Sequence, residues 1–381
     1  MKHYHVAIIG GGASGLALAL FLSRKGISDL VLIEKNDRLG RKLSATGNGQ
    51  GNLTNLSMGK EHYFSSDLAL AEEIISSFDE RDTISFFASL GGLLLPDDRG
   101  RVYPASRQAS SATDLLRYAL QAAKIECRLS TTVRSLSHPS SFVIETDKGA
   151  LSSDFAVLCT GGKAAPQFGT DGSAYALAEG FGHTLTELFP SLVQCKADMG
   201  DKKGLKGIRV DGRLSYLDHT VRGDVIFTDY GLSGDAVFRL SPYFAGKDEA
   251  WLYLELLPDV EEETLLSLVK GKNVPKEEAF CGILTNQIGR MLLKSAGSLE
   301  GAVRLCKRIP FRVTGTLGFA YAQVTKGGIP MNEVTKSLES KKQRGLFFCG
   351  EILDVDGECG GYNLQWAFSS AHRVAEEVCR R

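Results

Sequence analysis

The chain has 381 residues and a formal net charge of −1 at pH 7. Its length allows two or three domains with a large core, while the near-neutral charge excludes long-range attraction to nucleic acid or an anionic membrane. No apolar run is long enough to cross a bilayer, and too few residues precede the first predicted strand to form a signal peptide. The eight cysteines include no C-x-x-C pair, so we expect a cytoplasmic protein with reduced thiols and no zinc site.

The N-terminal segment carries a complete dinucleotide-binding fingerprint. The apolar residues His5–Ile9 predict a buried strand, which runs into the glycine turn Gly10–Gly15 and then into the helix-forming sequence Leu16–Leu22. A second apolar strand, Leu30–Ile33, ends in Glu34, whose carboxylate would accept hydrogen bonds from a ribose diol. In this context, an ordinary glycine turn between a core strand and a helix is the less favoured alternative.

The glycines of this turn have separate tasks. Gly10 permits a tight turn, Gly12 lets the backbone approach a pyrophosphate, and Gly15 lets the helix pack closely on the strand. The pyrophosphate would bind at the positive end of the helix dipole, where we assign contacts to Ala13 and Ser14.

A polar loop rich in glycine and asparagine follows the second strand. It contains a Gly40-Arg41 pair and continues through Thr46–Asn52. A plain nicotinamide dehydrogenase would begin its next helix at once, so we interpret this segment as chain extended along a longer ligand, with Arg41 offered to phosphate. A flexible loop without a ligand is the alternative.

The remaining pattern predicts helices and strands as far as residue 190, then mostly strands, then a helical segment. In chain order we expect a helix over 67–91, a helix over 114–124 with Thr113 as its N-cap, a β pair over 127–136 and 141–146, a strand over 155–159 and a helix over 171–181. Strands and turns cover 191–258, and helices cover 261–305. Strands return at 311–314, 320–325 and 345–350, before a closing helix over 362–380.

Two further glycine turns mark places where the backbone can come close to a ligand. Thr160-Gly161-Gly162 ends the strand over 155–159, and Gly357–Gly361 precedes the closing helix. The aspartates Asp354 and Asp356 make a calcium loop the alternative at the second turn, but the ligand order of an EF-hand is absent. We therefore predict no metal site.

Six segments of the chain resemble the BaiN/RdsA-type bacterial FAD-dependent oxidoreductases, also described as aminoacetone oxidase family flavoproteins. They are Ala7–Glu34, Gly40–Asn55, Phe227–Gly234, Val313–Phe319, Val324–Gly328 and, most specifically, Gly350–Asn363. The resemblance implies an α/β fold with a glutathione-reductase-like (Rossmann-type) FAD-binding domain over 1–187 and 315–381. A β-barrel-like, substrate-side domain over 188–258 and 306–314 would interrupt it and carry a helical sub-domain over 259–305.

The resemblance also implies how FAD binds. We expect no covalent link, because no Cys or His lies in a motif that would require one. Glu34 would bind the adenosine ribose, Val133 would offer backbone contacts to adenine, and Glu351 would bind near the ribityl chain. The helix that begins at Tyr362 would face the flavin edge that gains charge on reduction. Gly361 would either permit the turn before this helix or clear space for the flavin edge, and we favour the second reason. The predicted cofactor-binding residues are Gly10, Gly12, Ala13, Ser14, Gly15, Glu34, Lys35, Arg41, Lys42, Gly47, Asn48, Gly49, Asn52, Val133, Thr160, Gly161, Gly162, Gly350, Glu351, Gly361, Tyr362 and Asn363.

Some positions depart from the family. Gln50-Gly51 stand where the family usually has Arg-Cys, Leu317 stands where it usually has Arg, and the helical insert is short. On the resemblance, the first two departures would alter the substrate pocket.

The candidate catalytic residues are Lys42 and Tyr362, because their neighbours are predicted to contact the flavin. Lys42 would approach flavin N5, and Tyr362 would lie over the ring face. The histidines His183, His219 and His372 have no Ser or Cys partner at motif spacing, so we interpret them as structural.

The favoured function is oxidation of a small primary amine such as aminoacetone through an imine to a carbonyl, with O₂ reduced to H₂O₂. The alternatives are an NAD(P)H-dependent reductase of an activated C=C bond and a non-catalytic flavoprotein. The expected partners are thus a small-molecule substrate and either O₂ or NAD(P)H, without nucleic acid or membrane. No second strand with G-x-G-x-x-G occurs in mid-chain, so we expect no tightly bound NAD(P)H.

Overall fold

The computed structural model describes residues 1–247 and 249–381. They form two compact units: a first unit of Met1–Phe189 with Val324–Arg381, and a second unit of Pro190–Gln323. All the predicted cofactor-binding residues belong to the first unit. Across the described ranges, the structure contains no helix that is long and apolar enough to cross a membrane. The finer division into three domains stays a prediction.

The strands have the following bounds: β1 Lys2–Ile9, β2 Leu30–Ile33, β3 Thr54–Asn55, β4 Tyr63–Ser65, β5 Leu94–Pro96, β6 Arg101–Pro104, β7 Glu126–Arg128, β8 Val133–Ser137, β9 Phe142–Thr146, β10 Gly149–Leu158, β11 Phe189–Ser191, β12 Cys195–Ala197, β13 Arg209–Tyr216, β14 His219–Phe227, β15 Gly231–Ser233, β16 Ala250–Leu256, β17 Ile309–Thr316, β18 Val324–Lys326, β19 Leu346–Phe348 and β20 Val355–Gly357. The helices have these bounds: α1 Ala13–Arg24, α2 Leu68–Ser76, α3 Glu80–Ser89, α4 Ala109–Ala122, α5 Tyr175–Glu179, α6 Asp235–Phe244, α7 Glu262–Lys270, α8 Asn286–Ala296, α9 Leu299–Lys307 and α10 Tyr362–Val378.

A seven-stranded sheet lies at the centre of the first unit, in the order β7-β2-β1-β10-β9-β8 with β19 also paired to β10. β1 runs parallel to β2 and β10, and β10 runs parallel to β19. The carboxyl ends of these strands therefore meet at one edge, where loops in doubly wound sheets bind ligands. The strand predicted over 345–350 is β19, and its expected place in the same sheet as β1 is confirmed, although the two strands lie more than 300 residues apart in sequence.

The second unit has its own apolar core and a closed barrel of strands in the order β12-β15-β14-β13-β16-β17. The helices α7, α8 and α9 occupy the segment that the sequence predicts as helical. The helix α6 was not predicted, because Pro242 lies inside it and proline normally ends a helix.

Several predicted boundaries in the first unit are wrong for local reasons. The helix expected over 67–91 is two helices, since Asp79 caps the second one. Thr113 lies inside α4 instead of capping it, and its hydroxyl donates to the carbonyl oxygen of Ala109 at 3.0 Å. The helix expected over 171–181 shortens to α5 because Gly172 adopts a φ of +78°. Ser130, with a φ of +48°, separates β7 from β8.

Candidate functional site

The turn between β1 and α1 contains glycines for different physical reasons. Gly10 has a φ of +105°, and a Cβ there would lie 2.5 Å from the carbonyl oxygen of Cys159. A Cβ at Gly15 would lie 1.9 Å from the carbonyl oxygen of Gly10. A Cβ at Gly12 would have no described atom within 4 Å. Gly12 therefore borders open space, as expected where a pyrophosphate approaches the backbone.

The carboxylate of Glu34 is held at the edge of this turn. Its side chain is buried, and Oε2 accepts a hydrogen bond from the N–H of Gly11 at 2.7 Å. Oε1 accepts from the backbone N–H and the side-chain amide of Asn36, at 2.8 and 2.6 Å. The Asn36 oxygen in turn accepts from Arg41 at 3.0 Å. Because a carboxylate has about four lone-pair sites, Glu34 keeps capacity for a ribose hydroxyl.

Two predicted site residues that lie 309 positions apart in sequence form an ion pair. The Nζ of Lys42 donates to Oε2 of Glu351 at 2.8 Å, and about a fifth of each side chain is exposed. Oε1 of Glu351 accepts from the N–H of Thr325 at 2.9 Å. A Cβ at Gly162 would lie 2.5 Å from Oγ1 of Thr325 and 2.9 Å from Oε1 of Glu351. The Thr160–Gly162 turn therefore packs directly against this pair.

The geometry at Gly361 gives this glycine a packing role, and its role toward the flavin edge stays a prediction. Gly361 has a φ of +100°, and a Cβ there would point at the backbone of Thr54, 2.4 Å from its carbonyl oxygen. The glycine is thus required by packing against β3. The amide of Asn363 fastens the same turn, accepting from the N–H of Gly357 at 2.8 Å and donating to its carbonyl oxygen at 2.7 Å. The turn sets the positive end of the α10 dipole.

The side chain of Tyr362 is packed inside the protein. It is 5% exposed and stacks on His62 with ring centroids 4.4 Å apart. Its hydroxyl donates to the carbonyl oxygen of Ser57 at 3.3 Å. These contacts describe a structural role, so the role over the flavin ring stays a prediction without support from the side-chain geometry.

The remaining predicted residues lie around the same sheet edge or in the loop after it. Gly350 has a φ of +75° and packs on Ser14, since a Cβ there would lie 2.9 Å from its Oγ. Lys35 pairs with Asp171 at 3.0 Å. Burial alone would raise the pKa of Asp171, but hydrogen bonds from Ser173 and the Lys35 ammonium lower it to about 2. The other residues are Gly47, Asn48 and Gly49 in the exposed loop and Val133 at the start of β8.

Residues 4–377 match the family model described as the HI0933-like protein Rossmann domain. The chain belongs to this HI0933-like family. It is 34% identical to the 3-dehydro-bile acid delta(4,6)-reductase of Clostridium scindens, with 99% of each chain covered. It is 28% identical to the ribosomal RNA dihydrouridine synthase of Escherichia coli, which covers 99% of this chain and 98% of that protein. The predicted resemblance and the α/β Rossmann-type fold are confirmed.

A solved structure shares the fold of this HI0933-like chain. The 3-ketosteroid-delta4-(5alpha)-dehydrogenase of Rhodococcus jostii RHA1 superposes with a TM-score of 0.52 at 15% identity, covering 100% of this chain and 97% of that one. Family membership together with this fold indicates that the chain is an oxidoreductase that binds FAD.

The site of the HI0933-like chain fits such a cofactor. Oγ1 of Thr160 and Oδ1 of Asn52 are buried and have no hydrogen-bond partner among the described residues. Buried polar atoms without a partner cost free energy, so both positions favour a polar ligand. Together with Gly12, which borders open space, Thr160 and Asn52 make three predicted binding positions whose geometry suits contact with a ligand.

Sequence reasoning missed one contributor to this site. Thr325 lies in a segment that resembles the family, but nothing local indicated that its N–H would bind Glu351. The side chain of His183 is fully buried, with Nδ1 2.8 Å from Glu333 and Nε2 2.6 Å from Ser340. It therefore has a serine partner that the sequence did not indicate, and its structural role stays a prediction.

Proposed function

We propose that this chain is an FAD-dependent reductase of a carbon–carbon double bond conjugated to a carbonyl group, with NAD(P)H as electron donor. The observation that carries the proposal is the chemistry named in the two full-length relatives. A 3-dehydro-delta(4,6) bile acid has double bonds conjugated to a ketone, and dihydrouridine is uridine with the ring double bond next to its carbonyl saturated. Both names thus describe one reaction class on different carbon skeletons.

The reaction adds two electrons and two protons across the double bond. Bound FAD would supply the hydride, which it receives in turn from NAD(P)H, and a proton completes the saturated product. Two features of the protein would stabilise the charge that develops in this reaction. The Lys42 ammonium, fixed by Glu351, offers a positive charge on the predicted flavin side of the site. The α10 dipole would stabilise negative charge at the flavin edge.

We propose a small-molecule substrate, because the net charge of −1 gives the chain no overall electrostatic attraction to RNA. Oxidation of a primary amine such as aminoacetone by O₂ is the second candidate, since the sequence resembles proteins described by that activity. NAD(P)H would bind transiently, because no second dinucleotide fingerprint is present in the sequence.

Anaerobic absorbance of the bound flavin separates these functions. We expect NADH or NADPH to bleach the flavin, and a conjugated enone such as 4-androstene-3,17-dione or cyclohex-2-enone to restore its colour. Aminoacetone alone should not bleach it. Bleaching by aminoacetone but not by NAD(P)H would replace the reductase by the amine oxidase, and a flavin that no donor bleaches would indicate a non-catalytic flavoprotein. Reoxidation by ribosomal RNA, and not by any enone, would contradict the small-molecule substrate.

A further inference from the structure

The side-chain amide of Asn36 connects three segments of the first unit. Its nitrogen donates to Oε1 of Glu34 at 2.6 Å and to the carbonyl oxygen of Phe168 at 3.3 Å. Its oxygen accepts from Nη1 of Arg41 at 3.0 Å. A Cβ at Gly169 would lie 2.4 Å from the amide nitrogen, so this glycine leaves the space that the amide fills. Because acceptors surround the nitrogen and a donor faces the oxygen, the amide is held in one orientation.

The carboxylate of Glu34 depends on Asn36 for two of its three hydrogen bonds from the described residues. Oε1 accepts both of them, from the backbone N–H and from the side-chain amide of Asn36, while Oε2 accepts from the N–H of Gly11 at 2.7 Å. Glu34 keeps 8% of its surface exposed, and Gly12, the next residue after Gly11, borders open space. Space for a ligand therefore begins beside the residue whose N–H fixes Oε2.

We propose that Asn36 is a positioning residue that determines the selectivity of this site for the 2′-hydroxyl of the adenosine ribose of FAD. Glu34 can distinguish ribose from deoxyribose only while a lone pair is aimed at that hydroxyl, because hydrogen bonds weaken steeply when they are misaligned. The amide of Asn36 fixes the plane of the carboxylate and separates it from the Arg41 guanidinium. The carboxylate thereby stays available to the ribose. This inference rests on FAD binding and not on the proposed reductase reaction.

The test measures the dissociation constants of ADP and 2′-deoxy-ADP for the cofactor-free protein by calorimetry. In the parent protein, 2′-deoxy-ADP should bind at least about tenfold more weakly, since a hydrogen bond to a carboxylate is lost. In Asn36→Ala, this ratio should fall to about threefold or less. Asn36→Asp keeps the size of the side chain and an acceptor for Arg41, but it places a second carboxylate against Glu34. It should lower the ratio in the same way, and it decides the test if the alanine variant does not fold.

Further variants separate positioning from stability. Glu34→Gln should lower the ratio as far as Asn36→Ala does, and combining the two changes should lower it no further, because Asn36 acts through Glu34. Asn55→Ala is the matched control, since the Asn55 amide also fastens a loop, donating to the carbonyl oxygen of Gly360 and accepting from the N–H of Ser57, both at 2.9 Å. It should lower the urea midpoint of unfolding and leave the ratio of the two dissociation constants unchanged.

Three results would overturn the proposal. A parental ratio in both Asn36 variants, even with weaker binding of both ligands, would show that Asn36 only stabilises the fold. A further fall in the combined variant would show that Asn36 acts on the ribose without Glu34. Equal binding of ADP and 2′-deoxy-ADP by the parent protein would show that the site does not distinguish the 2′-hydroxyl. None of these measurements involves a substrate, so the proposed reductase activity can fail independently.

Discussion

The two glycine turns of the first unit look alike in sequence and differ in what they accommodate. Gly10–Gly15 and Gly357–Gly361 each follow a strand and lead into a long helix. In the first turn, Gly12 borders open space, while in the second turn the missing side chains of Gly360 and Gly361 make room for the ring of Tyr362 and the backbone of Thr54. Glycine before a helix therefore indicates either a ligand or close packing, and only the surroundings of the Cβ position distinguish the two.

The largest loss of stability is expected at Gly15, the glycine of the first turn that packs against the backbone of Gly10. In Gly15→Ala, the new methyl would lie 1.9 Å from the carbonyl oxygen of Gly10, so α1 must move away from β1. We expect a loss of about 3 kcal/mol or more in the free energy of unfolding, at the upper end for overpacking. Urea unfolding of the cofactor-free protein measures it. If the urea midpoint of the variant equals that of the parent within error, α1 can move away from β1 without loss of stability, and the prediction is wrong.

Gly361→Ala should have the next largest effect, and it should appear without cofactor. The methyl meets the backbone of Thr54 at 2.4 Å, and a φ of +100° is unfavourable for alanine. We expect a loss of about 2–3 kcal/mol, combining strain and displacement. Urea unfolding with and without FAD should give the same loss. A loss confined to the FAD-loaded protein would restore the original interpretation, in which Gly361 makes room for the flavin.

Contacts between residues that are close in sequence could be predicted, and contacts between residues that are far apart in sequence could not. The first turn could be predicted because its strand, glycines, helix and Glu34 are consecutive, and each residue type has a local reason. The ion pair of Lys42 with Glu351 and the contact of Gly361 with Thr54 join residues about 300 positions apart. No local pattern in a single sequence indicates such partners. The fold of the first turn was therefore predictable, while the contact of Gly361 with Thr54 was not.

Gly12→Ala should affect the cofactor and leave the fold intact. Its φ of −80° suits alanine, no described atom lies within 4 Å of the new methyl, and a Gly-to-Ala change at an N-cap is expected to cost little. We expect the free energy of unfolding of the cofactor-free protein to change by less than about 0.5 kcal/mol. The FAD dissociation constant should rise at least about tenfold, because the methyl occupies space needed by the pyrophosphate. If unfolding is affected and FAD binding is not, the two turns have the same role and the comparison fails.

The smallest effect is expected at Gly26, which separates backbone strain from collision. Gly26 follows α1 with a φ of +90°, its N–H donates to the carbonyl oxygen of Ser23, and a Cβ there would have no described neighbour within 4 Å. Gly26→Ala should therefore lower the free energy of unfolding by only about 1 kcal/mol, the cost of placing alanine in the left-handed backbone conformation that ends this helix. FAD affinity should not change, since the residue lies at the far end of α1 from the turn. Subtracting this loss from that of Gly361→Ala gives the cost of the collision with Thr54. Equal losses at the two glycines would mean that the contact with Thr54 relaxes freely and that both glycines serve only the backbone conformation.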